Sequence, residues 1–512
     1  MSSSDPSRQS PALVPEAPPT APSKSLPRVA ALDVARGFAL LGILMVNMDF
    51  FGESMASFYA TKPENPGMLN AVVFYFTAIF CEGKFYPLFS MLFGMGLVLQ
   101  MQSVERRGAR FVPLYIRRLI LLSIMGLSHG FLLWYGDVLF AYSLAGAVLL
   151  LARNLSAKAL AWIGAGLLAF STLLTSGLTL LTPPGRTAAT SQDASSTTSA
   201  ATATPGSNQP DEVGVPVKPE QEPTASDGGE ATPTEVAPPT DDPTAASPDS
   251  EGEPSRSDGV QDPADKDESP VNRAVRVFKA GGDPFSSEEY QAAEIEAYAK
   301  GPYSQALFFR SISYVMAIVF SIFGLGWTIV ALFCFGAALA KIRIFAPEQA
   351  ALRSRLLRIG ALVGFPLAIG ATTLTATIDS PVALAASLAL LYLSGPMVAF
   401  VYFALAVKAA ERGLTIARIL ATTGRAALSV YISETLLSTF VFYHWGLGKF
   451  GTFEHAERAL LALAIYALLV IATNLWLRVF AMGPLEYIWR AATYGKLPAL
   501  LKSRSPAESS EG

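Results

Sequence analysis

Residues 32–47 have the sequence LDVARGFALLGILMVN and set the class of this protein. The run is apolar enough to belong to a membrane-spanning helix, which needs about 20 such residues. It also contains Asp33, Arg36 and Asn47. Asp33 and Arg36 are three residues apart and can pair on one helical face, to which Asn47 nearly returns about three turns later. Because polar groups are costly inside a bilayer, this stripe predicts a lined cavity rather than a simple anchor.

The composition is typical of a polytopic membrane protein. Of the 512 residues, 51% are hydrophobic and 15% are charged, and the mean hydropathy is +0.38. The net charge of −3 combines two opposite parts, because residues 186–270 contain 18 acidic and 4 basic side chains and the remainder carries +11. The basic residues flank apolar runs instead of forming a patch, so we expect the lipid bilayer and no nucleic acid as a partner.

Ten apolar segments are long enough to cross a bilayer. Their predicted bounds are 32–52, 84–104, 113–135, 137–153, 158–181, 308–340, 356–378, 381–408, 424–446 and 457–481. We predict that residues 67–82 form a re-entrant or interfacial helix on the outer side. A full crossing there would place five arginines between 106 and 118 outside, against the positive-inside rule. The predicted fold is therefore an all-α, polytopic membrane helical bundle with both termini in the cytoplasm.

The spans divide into two halves of five. From 186 to 270 the chain has no Leu, Ile, Met, Phe, Tyr, Trp or Cys, so it cannot bury enough apolar area to offset its chain entropy. The predicted organisation is a disordered tail (1–27), a first transmembrane half (28–185), a disordered acidic extracytoplasmic linker (186–270), an amphipathic return segment (271–305), a second transmembrane half (306–496) and a disordered tail (497–512).

The candidate catalytic residue is His129, within Gly126-Leu-Ser-His129-Gly130 in the third span. Glycines at i and i+4 let another helix approach closely and would hold the histidine in a dry site. An imidazole there can take a proton from a hydroxyl or amine, as acyl transfer requires. The alternative is a packing histidine bonded to a backbone carbonyl. Asp137 lies about 12 Å further by helical rise and can pair with it only if the helix ends between them.

Arginines at the cytoplasmic side are the candidate binding groups for an acyl donor. Arg117 and Arg118 begin the third span, and Arg36 lies in the first. They either follow the positive-inside rule or clamp the phosphates of a nucleotide-bearing donor such as acyl-CoA.

Further polar residues are predicted to line the cavity. Lys84 opens the second span and is expected to snorkel to the outer interface or to face Glu82 or Glu53. Glu434, inside the ninth span, is either functional or paired with an arginine. The full set of predicted lining residues is Asp33, Asn47, Lys84, Asp137 and Glu434. No metal site is expected, because the sequence has no zinc-type Cys/His spacing, and it has neither a Walker loop nor GxSxG.

Five runs together resemble the YeiB-like family of bacterial membrane proteins. They are LDVARGFALLGILMVN, KFYPLFSMLFGMG, RRLILLSIMGLSHGFLLWYGDVLFAYSLAG and the closing GRAALSVYISETLL and GPLEYIWRAATYG. That family resembles the transmembrane acyltransferases, including heparan-α-glucosaminide N-acetyltransferase and the sugar O-acyltransferases. The resemblance implies ten to eleven helices in the bacterial inner membrane, with acyl-CoA entering from the cytoplasm and an acceptor modified on the far side.

Two functions are therefore expected. The first is an acyltransferase that moves an acyl group from cytoplasmic acyl-CoA to an envelope, sugar or lipid acceptor. Arg36, Arg117 and Arg118 would hold the donor, Asn47 and Lys84 would polarise a carbonyl or orient the acceptor, and His129 would be the base. The alternative is a small-molecule transporter or lipid flippase, for which polar residues at membrane depth serve equally well.

Overall fold

The computed structural model describes residues 26–55, 67–181, 268–281, 284 and 287–502. These residues are almost entirely helical, and they contain an isolated β-bridge instead of a sheet. The predicted all-α bundle is therefore confirmed. The chain divides into one unit of residues 1–188 with 269–512 and a second of residues 189–268. The second unit, most of the predicted acidic linker and most of both predicted tails lie outside the described residues.

The helices before the acidic segment belong to the predicted first half of the protein. They are α1 (Leu26–Gly52), α2 (Met68–Phe80), α3 (Phe85–Glu105), α4 (Phe111–Leu132), α5 (Leu139–Leu151) and α6 (Ala157–Leu181).

The helices after the acidic segment begin with a short extramembrane pair, α7 (Pro270–Lys279) and α8 (Glu288–Lys300), within the predicted return segment. The others are α9 (Tyr303–Phe323), α10 (Leu325–Lys341), α11 (Ala350–Ile359), α12 (Phe365–Thr377), α13 (Pro381–Glu411), α14 (Thr415–Arg425), α15 (Ala427–Phe442), α16 (His455–Val479) and α17 (Pro484–Tyr494). A π-helical turn, Gly360–Gly364, joins α11 to α12.

Eight helical segments of the described chain are long and apolar enough to cross a membrane, and α5, α10 and α15 are shorter apolar helices. The predicted spans 137–153 and 424–446 correspond to α5 and α15. The predicted span 308–340 comprises α9 and α10, which are divided at Gly324, whose backbone leaves the helical region with φ −115 and ψ −94. The chain is thus a multi-pass membrane protein.

Helix α1 lies at the centre of the bundle and packs against α3, α13, α14, α15 and α16. Its crossing with α14 is a contact between backbones. A Cβ on Gly37 would lie 2.2 Å from the Leu420 carbonyl oxygen, and a Cβ on Gly424 would lie 1.9 Å from the Asp33 carbonyl oxygen. Small residues are required where two membrane helices approach this closely. The glycine of LDVARGF therefore positions the polar stripe of α1 against the second half of the chain.

Helices α2 and α3 form one discontinuous segment of 38 residues. Near its start, α2 binds the first turn of α16, where the Ala456 N–H donates to Asn70 Oδ1 at 2.9 Å. At its end, the Phe80 carbonyl accepts a hydrogen bond from Tyr402. The Tyr402 ring lies 5.4 Å from the Phe38 ring. Phe38 itself is about 20 Å from the end of α1 by helical rise. The predicted re-entrant or interfacial helix is thus α2, and it enters the bundle before the chain breaks and continues as α3.

The last described residues fold back on the end of α16. The Ala481 N–H donates to the Leu500 carbonyl, and the Lys502 N–H donates to the Val479 carbonyl. Residues 497–502, which we predicted to belong to a disordered tail, are therefore ordered by backbone hydrogen bonds.

Candidate active site

His129 lies in the last turn of α4 with 3% of its surface exposed. The helix ends at Leu132, and the N–H groups of Leu133 and Trp134 both bond to the His129 carbonyl. The chain then turns back, so that Nδ1 of His129 lies 3.0 Å from Oδ1 of Asp137. The His129–Asp137 pair was predicted to require a helix end between the two residues, and α4 does end there.

Asp137 is held in place by the start of α5. Its Oδ2 accepts the Phe140 N–H at 2.9 Å, as an acidic side chain does at a helix N-terminus. The two glycines beside His129 make room for this arrangement. A Cβ on Gly126 would lie 2.4 Å from the Phe140 nitrogen, and a Cβ on Gly130 would lie 2.0 Å from the Tyr314 ring. The start of α5 and helix α9 are therefore the segments that approach α4 closely at the predicted glycine pair.

The second ring nitrogen of His129 faces a hydroxyl that the sequence analysis did not single out. Nε2 lies 3.0 Å from Oγ1 of Thr435, which is fully buried on α15. In the tautomer that donates the Nδ1 proton to Asp137, Nε2 is a proton acceptor towards Thr435, whose hydroxyl also lies 3.3 Å from the Tyr431 carbonyl oxygen. Carboxylate, imidazole and hydroxyl thus form one hydrogen-bonded chain in the order found in enzymes that activate a hydroxyl.

Aromatic side chains surround this chain and separate it from lipid. The His129 ring lies 5.2 Å from the Tyr431 ring and 6.3 Å from the Trp134 ring. Arg310 donates to the Phe131 and Leu133 carbonyls, satisfying backbone acceptors beyond His129. The imidazole therefore faces the bundle interior.

The predicted arginines lie about three turns from His129, with Arg117 and Arg118 in the first half of α4 and Arg36 in the first half of α1. Arg36 donates to Asp33 at 3.0 Å, which confirms the predicted pair. The Arg118 guanidinium stacks over Trp489 of α17 at 5.3 Å, and its charge interacts with that of Arg36. Arg117 is exposed. Among the described residues the imidazole bonds to Asp137 and Thr435 and to none of these arginines, and Arg118 is separated from it by about 16 Å of helical rise.

Of the two positions predicted for Lys84, the outer interface is wrong, whereas its charge does interact with that of Glu82. Lys84 is fully buried, and its Nζ donates to the Ala78 carbonyl at 2.8 Å, so it does not snorkel to an interface. This carbonyl is one of the last in α2, and a cation at a helix C-terminus is favourable. Lys84 thus stabilises the break between α2 and α3 rather than lining the site.

The remaining predicted lining residues have different positions. Glu434 is adjacent to Thr435 in sequence and 2% exposed, and its Oε1 has no hydrogen-bond partner among the described residues. Asn47 is half-buried in the last third of α1. The structure therefore brings together His129, Asp137 and Thr435, and Glu434 precedes Thr435 on α15.

A second polar cluster lies where α1 ends. The buried Arg458 donates to Asp49 at 2.7 Å and also to Glu53. Nearby, Glu294 of α8 is 1% exposed and accepts a hydrogen bond from Ser54. Burial raises the pKa of Glu294 from 4.5 to about 7, and the Ser54 hydrogen bond opposes that shift only in part. Sequence alone gave no signal for Glu294, because it resembled any acid of an amphipathic helix.

Comparison with known proteins agrees with the motifs. Residues 339–496 match the family of proteins of unknown function DUF418. The chain is 28% identical over 488 residues to the uncharacterised protein YxaH of Bacillus subtilis, covering 92% of this chain and 96% of that protein. It is 37% identical over 127 residues to the uncharacterised protein YeiB of Escherichia coli, covering 24% of this chain and 30% of that protein. The predicted resemblance to the YeiB-like family is confirmed.

The regions shared with this YeiB-like family bear on the site. The DUF418 match runs from the end of α10 through α17 and so includes Glu434 and Thr435, whereas His129 and Asp137 lie before it. No solved structure matches the chain.

Proposed function

We propose that this protein is an integral membrane acyltransferase of the bacterial inner membrane, with His129 as its general base. The observation that carries the proposal is the chain from Asp137 through His129 to Thr435, with both contacts at 3.0 Å. A base held in one tautomer by a carboxylate and facing a hydroxyl is suited to deprotonating that hydroxyl or one that replaces it.

The chemistry balances with an acyl thioester and an acceptor hydroxyl. His129 Nε2 takes the acceptor proton while the acceptor oxygen attacks the thioester carbonyl. The new C–O bond forms, the C–S bond breaks, and the departing thiolate takes the proton from the imidazolium. Asp137 orients the ring and stabilises its charged form, which is its role in the analogous triads. The Thr435 hydroxyl marks the position from which His129 would accept the acceptor proton.

Acyl-CoA is the co-substrate of this proposal, and its phosphates would bind at Arg36 of α1 and at Arg117 and Arg118 of α4. Arg36 and Arg118 offer two cationic groups there, and Arg117 adds an exposed third. The acyl-bearing arm would then extend about 16 to 18 Å along α4 to reach His129. The acceptor would be an envelope, sugar or lipid molecule.

The test is thioester cleavage by detergent-purified protein, measured as free thiol released from acetyl-CoA. We expect His129→Ala and Asp137→Asn to lower the rate by about 10²- to 10⁴-fold, the contribution of general base catalysis. His455→Ala, on α16 with a half-buried ring, is the matched histidine control. Full activity of a folded His129→Ala protein would refute the assignment.

Donor binding is tested separately. Arg36→Ala and Arg118→Ala should raise the KM for acyl-CoA about 10-fold or more while leaving kcat nearly unchanged, because in this proposal they bind the donor phosphates and not the reacting atoms. Arg106→Ala is the control, since the exposed Arg106 bonds to its own helix, at the Gln102 carbonyl. Equal KM values for all the variants would remove these arginines from the donor site.

A second candidate, a transporter or lipid flippase, is favoured by the discontinuous α2–α3 segment and the buried Glu434. Interrupted helices and acids at membrane depth are common in transport proteins. Accumulation of a substrate in sealed vesicles without any acyl donor would support transport and argue against the transferase.

A further inference from the structure

One face of α15 carries buried polar atoms that the described protein leaves without partners. Glu434 Oε1 and Ser438 Oγ have no hydrogen-bond partner among the described residues, and both side chains are at most 2% exposed. They are four residues apart, so they lie on one helical face. Thr439, the next hydroxyl, differs because it donates to the Thr435 carbonyl at 2.7 Å.

The same pattern continues beyond the end of α15. Tyr443 Oη, Tyr298 Oη on α8 and Arg310 Nη2 on α9 are also buried without a partner in the described part of the chain. The rings of Tyr298 and Tyr443 lie 4.7 Å apart. Both phenols interact electrostatically with Arg310 and with Glu294. The unpartnered atoms therefore extend from the polar cluster at the end of α1, near Glu294, to Glu434 on α15.

Such atoms are rarely left unsatisfied in folded proteins. A buried polar group without a hydrogen bond destabilises the fold, and buried polar groups that lack a protein partner are usually bonded to ordered water. These five unpartnered atoms are therefore candidates for hydrogen bonds to buried water.

We propose that these groups form a hydrated proton pathway that leads from Glu294, through Tyr298, Tyr443 and Ser438, to Glu434. Glu434 would be the proton-carrying end of the pathway, adjacent to the residue that faces His129. The titratable groups around it are Tyr431 on its own helix and Tyr466 on α16. At the entrance, a Glu294 pKa of about 7 suits a group that gains and releases protons near neutral pH. The pathway goes beyond the proposed acyl transfer and does not depend on it.

The test is hydrogen–deuterium exchange at Glu434, followed by infrared spectroscopy without any acyl donor. The carboxylic acid C=O band of Glu434 is identified as the band that Glu434→Gln removes. After transfer of the wild-type protein to D2O, we expect this band to shift to its deuterated position rapidly. Ser438→Val, which replaces the hydroxyl by methyl groups, should slow the shift by about tenfold or more, the effect of losing one hydrogen-bonded step.

Thr439→Val is the matched control, because its hydroxyl already has a partner, and we expect its exchange to match wild type. If Ser438→Val does not fold, the double variant Tyr298→Phe with Tyr443→Phe replaces it and should slow exchange in the same way. The proposal is overturned by exchange as fast in the folded variants as in wild type. It is also overturned if the wild-type and Glu434→Gln spectra have the same carboxylic acid bands. If the wild-type protein does not cleave the thioester but its Glu434 band exchanges as expected, the acyltransferase proposal is refuted and the proton pathway is not.

Discussion

The Glu294→Gln substitution should remove most of the pH dependence of stability between about pH 5 and pH 8. Glu294 is buried under α8, and its pKa is raised from 4.5 to about 7, chiefly by burial. Below pH 4.5 both the folded and the unfolded protein hold the proton. Between that pH and about 7 only the folded protein holds it, so the free energy of unfolding falls as the pH rises. Above about 7 both forms are ionised and the loss is complete.

The magnitude follows from the two pKa values. Each pKa unit corresponds to about 1.4 kcal/mol, so ionising the buried Glu294 carboxyl costs the folded protein up to about 3 kcal/mol. A glutamine has the shape of the protonated acid and can still accept the Ser54 hydrogen bond, but it does not ionise. The variant and the wild type should therefore be about equally stable at pH 4, and the variant should be the more stable at pH 8.

The assay is denaturant unfolding of detergent-purified protein at a series of pH values, followed by circular dichroism. Glu289→Gln is the control, because Glu289 lies on the same helix with 40% of its side chain exposed and pairs with Arg276. It should keep the wild-type pH profile. An unchanged pH profile in Glu294→Gln would refute the reasoning.

Three further substitutions test the packing. Arg458→Gln should cost about 3–5 kcal/mol of unfolding free energy, because it leaves two carboxylates at the end of α1 without their buried cation, and denaturant unfolding measures this. Gly424→Ala should lower the free energy of unfolding by about 3 kcal/mol or more, because its Cβ would overlap the Asp33 carbonyl oxygen. Gly166→Ala is the control: a Cβ there meets nothing within 4 Å, so the substitution should be neutral or stabilising by up to about 1 kcal/mol. Lys84→Met should speed amide exchange in the last turn of α2, measured by mass spectrometry, and unchanged protection there would contradict its role at the break.

Local sequence patterns predicted the parts of the fold that depend on nearby residues. The Asp33–Arg36 pair follows from a spacing of three on one helix, and it forms as expected. The His129–Asp137 pair could be stated only as a condition, because hydropathy does not locate a helix end within an apolar run. The break at Gly324 was missed for the same reason, since a glycine inside an apolar stretch does not by itself stop a helix.

The parts that failed depend on distant contacts. Thr435 reaches His129 across 306 residues, and no local pattern could mark it among the other hydroxyls of α15. For Lys84 the sequence left open an interface position or a pairing with Glu82 or Glu53, and it could not show that the break between α2 and α3 lies in the interior. The depth of a residue in a bundle depends on which helices surround it, and hydropathy along one segment does not contain that information.

The central position of α1 has a consequence for biosynthesis. This helix leaves the ribosome well before α16, yet its Asp49 binds Arg458, which is made 409 residues later. At a translation rate of 5–20 residues per second, the delay is roughly 20 to 80 s. Throughout that interval the polar side chains of α1 are in or beside the bilayer without their final partners, where insertion is unfavourable. The insertion machinery must therefore shelter α1 until α14, α15 and α16 arrive, and a protein truncated before them should be degraded.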